Sequence, residues 1–99
     1  MKIIKKYVDE IKDEIEGAKE YAEQYVEARV KGDTNTASRY KEMANDELKH
    51  ATYVHEFAVK EIDQVSKVYT PPAEMQEEWD HAHKKFVEEV AWIRHMLEM

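Results

Sequence analysis

Apolar residues return along this chain at the three- and four-residue intervals of helices, and the pattern breaks twice. One stripe reads Ile4, Tyr7, Val8, Ile11, Ile15, Ala18, Ala22, Tyr25 and Val26, with Tyr21 on its flank. A second runs through Tyr40, Met43, Ala44, Ala51, Val54, Ala58, Ile62 and Val65, and a third through Met75, Trp79, Ala82, Phe86, Val90, Ile93 and Leu97. The breaks coincide with Gly32 and with the pair Pro71 and Pro72. Gly32 is expected to stop the first helix, with Asp33 or Thr34 capping the next, since glycine takes the left-handed conformation in which helices end. Thr70 is read as the cap of the third helix, with Pro71 at its first position. Gly17 falls inside an unbroken helical pattern and is expected only to weaken it slightly.

The predicted fold is all-α, a single domain over residues 1–99 with helices at about Ile3–Lys31, Asn35–Tyr69 and 71–98. A short connection makes the first two a long antiparallel hairpin. At 1.5 Å per residue each would be roughly 40 to 50 Å long. Rods of that length bury their stripes best against similar rods, and a chain of 99 residues encloses only a modest core by itself. Oligomerisation is therefore expected.

One acidic residue interrupts the second stripe. In "DELKHATYVHEF" Glu47 projects within roughly 20° of the centre of its helix's apolar face, and His50 follows near the edge of the same stripe. A carboxylate buried without a partner costs several kcal/mol or shifts its pKa until it is neutral, so Glu47 needs compensation. The chain contains a second Glu-x-x-His pair, Glu78 with His81. Composition alone yields about one such pair, so position must decide between them. His81 projects about 140° from the centre of the third stripe, and its pair reads as solvated. On the first helix Glu14 is the best placed inward acid, about 60° from the stripe centre, whereas Glu16 and Glu20 point outward. Glu14, Tyr21, Glu47 and His50 are the site residues this pattern selects.

Composition narrows the partners. With 15 basic and 22 acidic residues the net charge is −7, which argues against nucleic acid or an anionic membrane and is compatible with attracting cations. Cysteine is absent, which excludes disulfides and thiolate metal sites. The opening "MKIIKKYVDEIKDEIE" breaks its apolar residues with charges too often for a signal peptide or a membrane span, so the cytoplasm is the expected location.

Glu14, a Tyr two turns later, and Glu47-x-x-His50 on the antiparallel partner together resemble the ferritin-like di-iron proteins. The similarity is to the first half of a bacterioferritin or rubrerythrin and covers roughly residues 1–69. In that family a second helix pair brings another Glu and another Glu-x-x-His. Here the third helix offers Glu89 as a possible inward acid, but Trp92 stands three residues on. The resemblance extends to encapsulated ferritins, short subunits with one Glu-x-x-His apiece, although the chain ends "IRHMLEM" without an evident tail for a shell. It implies a four-helix bundle completed by dimerisation, or a higher even-numbered oligomer, with two iron ions per dimer and manganese as an alternative. It also makes an encapsulating protein shell a conceivable partner and compartment. In such a centre Glu47 would bridge the metals, Glu14 and His50 would be terminal ligands, and Tyr21 would orient a carboxylate or serve as a nearby redox group. The implied activity is a ferroxidase, oxidising ferrous iron with oxygen or peroxide. Another reading of the same stripes is a metal-free helical interaction module. His55, His83 and His95 are assigned to helix flanks or interfaces without a role, and Trp92 to an oligomer contact.

Overall fold

The computed structural model describes residues 2–68 and 70–99. They form three helices, α1 (Lys2–Val30), α2 (Thr34–Ser66) and α3 (Ala73–Leu97), and no strand occurs among the described residues. The molecule is a rod of 55 × 17 × 17 Å, as long as its longest helix and about as wide as helices packed side by side. No described helix is long and apolar enough to cross a membrane.

The turn between α1 and α2 follows from three residues. Gly32 sits at φ +77°, where a side chain would be strained. Around it the Gly32 amide donates to the Arg29 carbonyl at 3.0 Å and the Asp33 amide to the Ala28 carbonyl at 2.9 Å. That is the paired bonding of a Schellman ending. Asp33 then caps α2, its Oδ1 accepting from the Thr36 amide at 3.1 Å. Hydrogen bonding from the Thr36 side chain, and then from its amide, holds the Asp33 carboxyl below its ordinary pKa, because it favours the charged form.

The second boundary differs from expectation. Thr70 does not cap α3 and Pro71 is not its first residue: Pro72 is the capping residue, at φ −57° and ψ 145°, with no side-chain cap. The reason is local, since a proline pushes the residue before it out of the helical region. That keeps Pro71 out of the helix; Pro72 itself has ψ 145°, outside the helical region, so α3 begins at Ala73. At the other side α2 stops at Ser66, short of the expected end at Tyr69, a residue outside those described.

Packing along the hairpin is set by alanine. Ala37, Ala44, Ala51 and Ala58 recur every seven residues on α2 and are 0 to 2 % exposed, and Ala18 and Ala22 on α1 are fully buried. Such small side chains let two helices approach closely over their whole length. Larger residues flank the seam: Ile4, Ile11, Ile15 and Tyr25 from α1 and Leu48 from α2 are buried. The buried face of α2 is thus rotated toward Leu48 relative to the predicted stripe. Met43, expected inside, is 40 % exposed, and Glu47 lies beside the seam, partly buried, instead of at its centre.

Helix α3 lies mainly against α1. Ile93, Met96 and Leu97 anchor its second half, and Met75 and Trp79 its first. Lys19 of α1 pairs with Glu89 of α3 at 3.9 Å, so Glu89 serves this interface. Lys19 and Glu14 are five residues apart, about 140° around the helix. Helix α3 therefore covers one side of the hairpin and leaves the Glu14 side open.

Candidate metal centre

On that open side α1 and α2 bring Glu14, Glu47 and His50 together. Antiparallel packing sets residues 14 to 17 of α1 against residues 47 to 50 of α2, and the i, i+3 spacing puts Glu47 and His50 on adjacent turns. One donor atom from each of the three lies within 4.8 Å of the other two. His50 Nδ1 stands 3.6 Å from Glu14 Oε2. Both glutamates are partly buried and His50 is exposed, so the group is a shallow cleft open to solvent on its histidine side.

The electrostatics of the cleft are those of crowded like charges. The Glu47 carboxyl is pushed above its ordinary pKa, first by a hydrogen bond with Glu14, then by burial and by the Glu14 charge. Two carboxyls can share a hydrogen bond only while one keeps its proton, which is why the pairing favours the neutral form. Asp46 adds to the rise and His50 opposes it.

Gly17 completes the cleft, and nothing in its helical context singled it out beforehand. A Cβ at this position would stand 3.4 Å from Glu47 Oε2 and 3.6 Å from its Cδ. The bare backbone of α1 therefore forms the floor beneath the Glu47 carboxylate, leaving one of its oxygens uncovered where alanine would cover it. A helix-interior glycine costs about 1 kcal/mol relative to alanine. Its position opposite the partly buried acid gives that cost a structural counterpart.

The remaining sequence candidates are placed elsewhere. Tyr21 lies one turn beyond Gly17 and packs against Tyr40, ring centroids 6.2 Å apart. It makes no hydrogen bond to the three-residue cluster among the described residues. Glu78 and His81 are both exposed and belong to no cluster of three or more ligating groups among the described residues. His95 contacts Trp92, rings 5.7 Å apart. His55 and His83 meet each other across α2 and α3; 28 residues of chain separate them, too far for any local pattern to reveal the pairing.

Two carboxylate oxygens and one imidazole nitrogen form a hard to borderline donor set suited to divalent iron or manganese. Bonds of about 2.0 to 2.2 Å place donors of one ion roughly 3 to 4 Å apart, beside the 4.8 Å within which these three donors lie. Three protein donors leave coordination positions open, the condition for chemistry at a metal as opposed to a purely structural site. Compared with known protein families, curated proteins and solved structures, the chain matches none.

Proposed function

We propose that the chain oxidises ferrous iron at a di-iron carboxylate centre shared between two copies, each contributing Glu14, Glu47 and His50. The observation that carries this reading is the convergence of those three donors within 4.8 Å on the side of the hairpin that α3 leaves open. Support comes also from Glu47 and Glu14, whose crowding is relieved when a cation replaces their shared proton.

In this reading Glu14 and His50 hold one ferrous ion from either side of the groove. Glu47, beside the bare backbone of Gly17, has a second oxygen free to reach a neighbouring ion. A single chain supplies two carboxylates and one imidazole, half of what a carboxylate-bridged pair of ions requires. A second hairpin laid antiparallel on the open face would supply the other half and complete a four-helix bundle. Ferrous iron is the substrate, and two ions held together can give two electrons to one oxygen or peroxide molecule. Tyr21, two turns beyond Glu14, acts as a positioning group or nearby electron donor. The exposed Met43, Tyr53 and Phe57 of α2 are apolar surface that such an assembly can cover.

The test is the aerobic oxidation of ferrous iron followed by ferric absorbance, with circular dichroism confirming the fold. Wild-type protein should exceed buffer severalfold, His50→Ala should fall close to buffer, and Tyr21→Phe should retain most of the rate. A wild-type rate equal to buffer would leave the metal-free helical interaction module as the better account.

A further inference from the structure

Away from the metal cluster, the joint between α2 and α3 is built around one histidine. The ring of His55 lies parallel to Phe86 of α3, with centroids 4.7 Å apart and 8° between planes, and stacks on Trp79 at 5.5 Å and 28°. At its edge His83 approaches to a ring separation of 5.0 Å, and His55 Nε2 and His83 Nδ1 share a hydrogen bond of 2.8 Å. His55 is partly buried while His83 is exposed. The aromatic faces fix the His55 ring, so it cannot turn to water without giving up its stacking.

A bond between two imidazoles needs one N–H and one lone pair. It exists when both rings are neutral, and it survives one added proton, because an imidazolium can donate to a neutral partner. A second added proton removes the last lone pair and sets two cations edge to edge at hydrogen-bond distance. The surroundings do little to soften this. Burial and His83 hold His55 below its ordinary pKa, against a smaller opposite effect from Glu56 on its own helix. From the other elements, Lys12 of α1 and His81 and Lys85 of α3 line the groove beside Phe86, together with the carboxylates Glu16 and Glu89.

We propose that the His55–His83 pair is a proton-operated latch: closed near neutral pH, it holds the first half of α3 on α2, and double protonation in mild acid releases it. The second half of α3 has independent anchors. Ile93, Met96 and Leu97 are at most 5 % exposed, and Arg29 donates to the Met99 carbonyl at 3.4 Å. Opening is therefore local and uncovers the apolar faces of Trp79 and Phe86. The sign follows from linkage. A histidine whose pKa is depressed on folding takes its proton first in the unfolded or opened state, so stability falls as pH drops below the ordinary value of 6.5. The latch lies on the opposite side of the hairpin from Glu14 and operates whether or not metal is bound.

Hydrogen exchange of the full chain in the presence of a chelator, at pH 7.5 and pH 5 and corrected for intrinsic rates, tests the latch. Residues 73–86 should lose protection by about tenfold or more at pH 5, while residues 93–97 keep theirs. His55→Phe retains the stacking and removes the titration, so its residues 73–86 should stay protected at both pH values. His83→Gln, which can still hydrogen-bond but cannot titrate, should do the same and serves if the phenylalanine variant packs poorly. Undiminished protection of residues 73–86 in the wild type at pH 5 would overturn the proposal. So would an equal acid-induced loss in both variants.

Discussion

Replacing Glu47 by glutamine should stabilise the metal-free protein at neutral pH, although it changes a partly buried side chain. The wild-type cleft holds two carboxyls whose donor atoms lie within 4.8 Å. Coulomb's law puts the repulsion of two unit charges at that separation near 1 kcal/mol in water and about 3 to 4 kcal/mol at an effective dielectric of 20. The cleft is open on one side and His50 offsets part of the charge, so the lower end applies, about 1 kcal/mol. Glutamine removes the charge and keeps a donor, its amide N–H standing where Glu47 can donate to Glu14 only when protonated. For a domain of this size 1 kcal/mol corresponds to about 4 to 8 °C in melting temperature. The pH dependence has a definite sign. Folding raises the Glu47 pKa, so the folded state binds that proton more tightly, and stability is lost as pH climbs above the ordinary carboxylate value. The advantage of Glu47→Gln should therefore be small at pH 4 and full by pH 7. Thermal melts followed by circular dichroism in chelator, across that range, measure it. Equal melting temperatures at pH 7, or a less stable variant, would refute the crowded-carboxylate account of the cleft.

Other outcomes follow from the same geometry. Gly17→Ala should raise stability by about 1 kcal/mol from helix propensity yet weaken manganese or ferrous binding, because its methyl would sit 3.4 Å from Glu47 Oε2. Calorimetry showing unchanged affinity in the stabilised variant would remove Gly17 from the site. Glu78→Ala and His81→Ala should leave metal content by elemental analysis unaltered, since both residues are exposed and outside the cluster. Ile93→Ala, at a position 0 % exposed, should cost about 2 to 4 kcal/mol in denaturant unfolding.

The hairpin and the cluster of Glu14, Glu47 and His50 were legible because they depend on local periodicity. Gly32 and Asp33 end one helix and start the next as their conformational preferences require, and the phases of Glu14, Glu47 and His50 along their helices suffice to bring them to one groove. What escaped was carried by residues that periodicity weighs lightly or by partners far apart in sequence. Ala44, Ala51 and Ala58 stood in the predicted stripe, but Ala37 and Leu48 did not; both are buried at the seam, and α2 is turned toward Leu48 so that Met43 faces out. Gly17 looks alike in sequence whether it faces solvent or a carboxylate. The onset of α3, by contrast, was partly present in the chain. The restriction Pro72 imposes on Pro71 rules Pro71 out as the first helical residue, which a rule based on proline at that position overlooks, although it leaves Pro72 itself free to start the helix.

The shared centre requires that two copies of this chain bind iron together. Anaerobic sedimentation with increasing ferrous ion measures this directly, reading bound iron and molecular mass together. The prediction is a shift from monomer to dimer that saturates at two irons per dimer, with Glu47→Ala binding no iron and showing no metal-driven shift. Absence of bound iron in the wild type, or tight binding of two irons by a monomer, would contradict it.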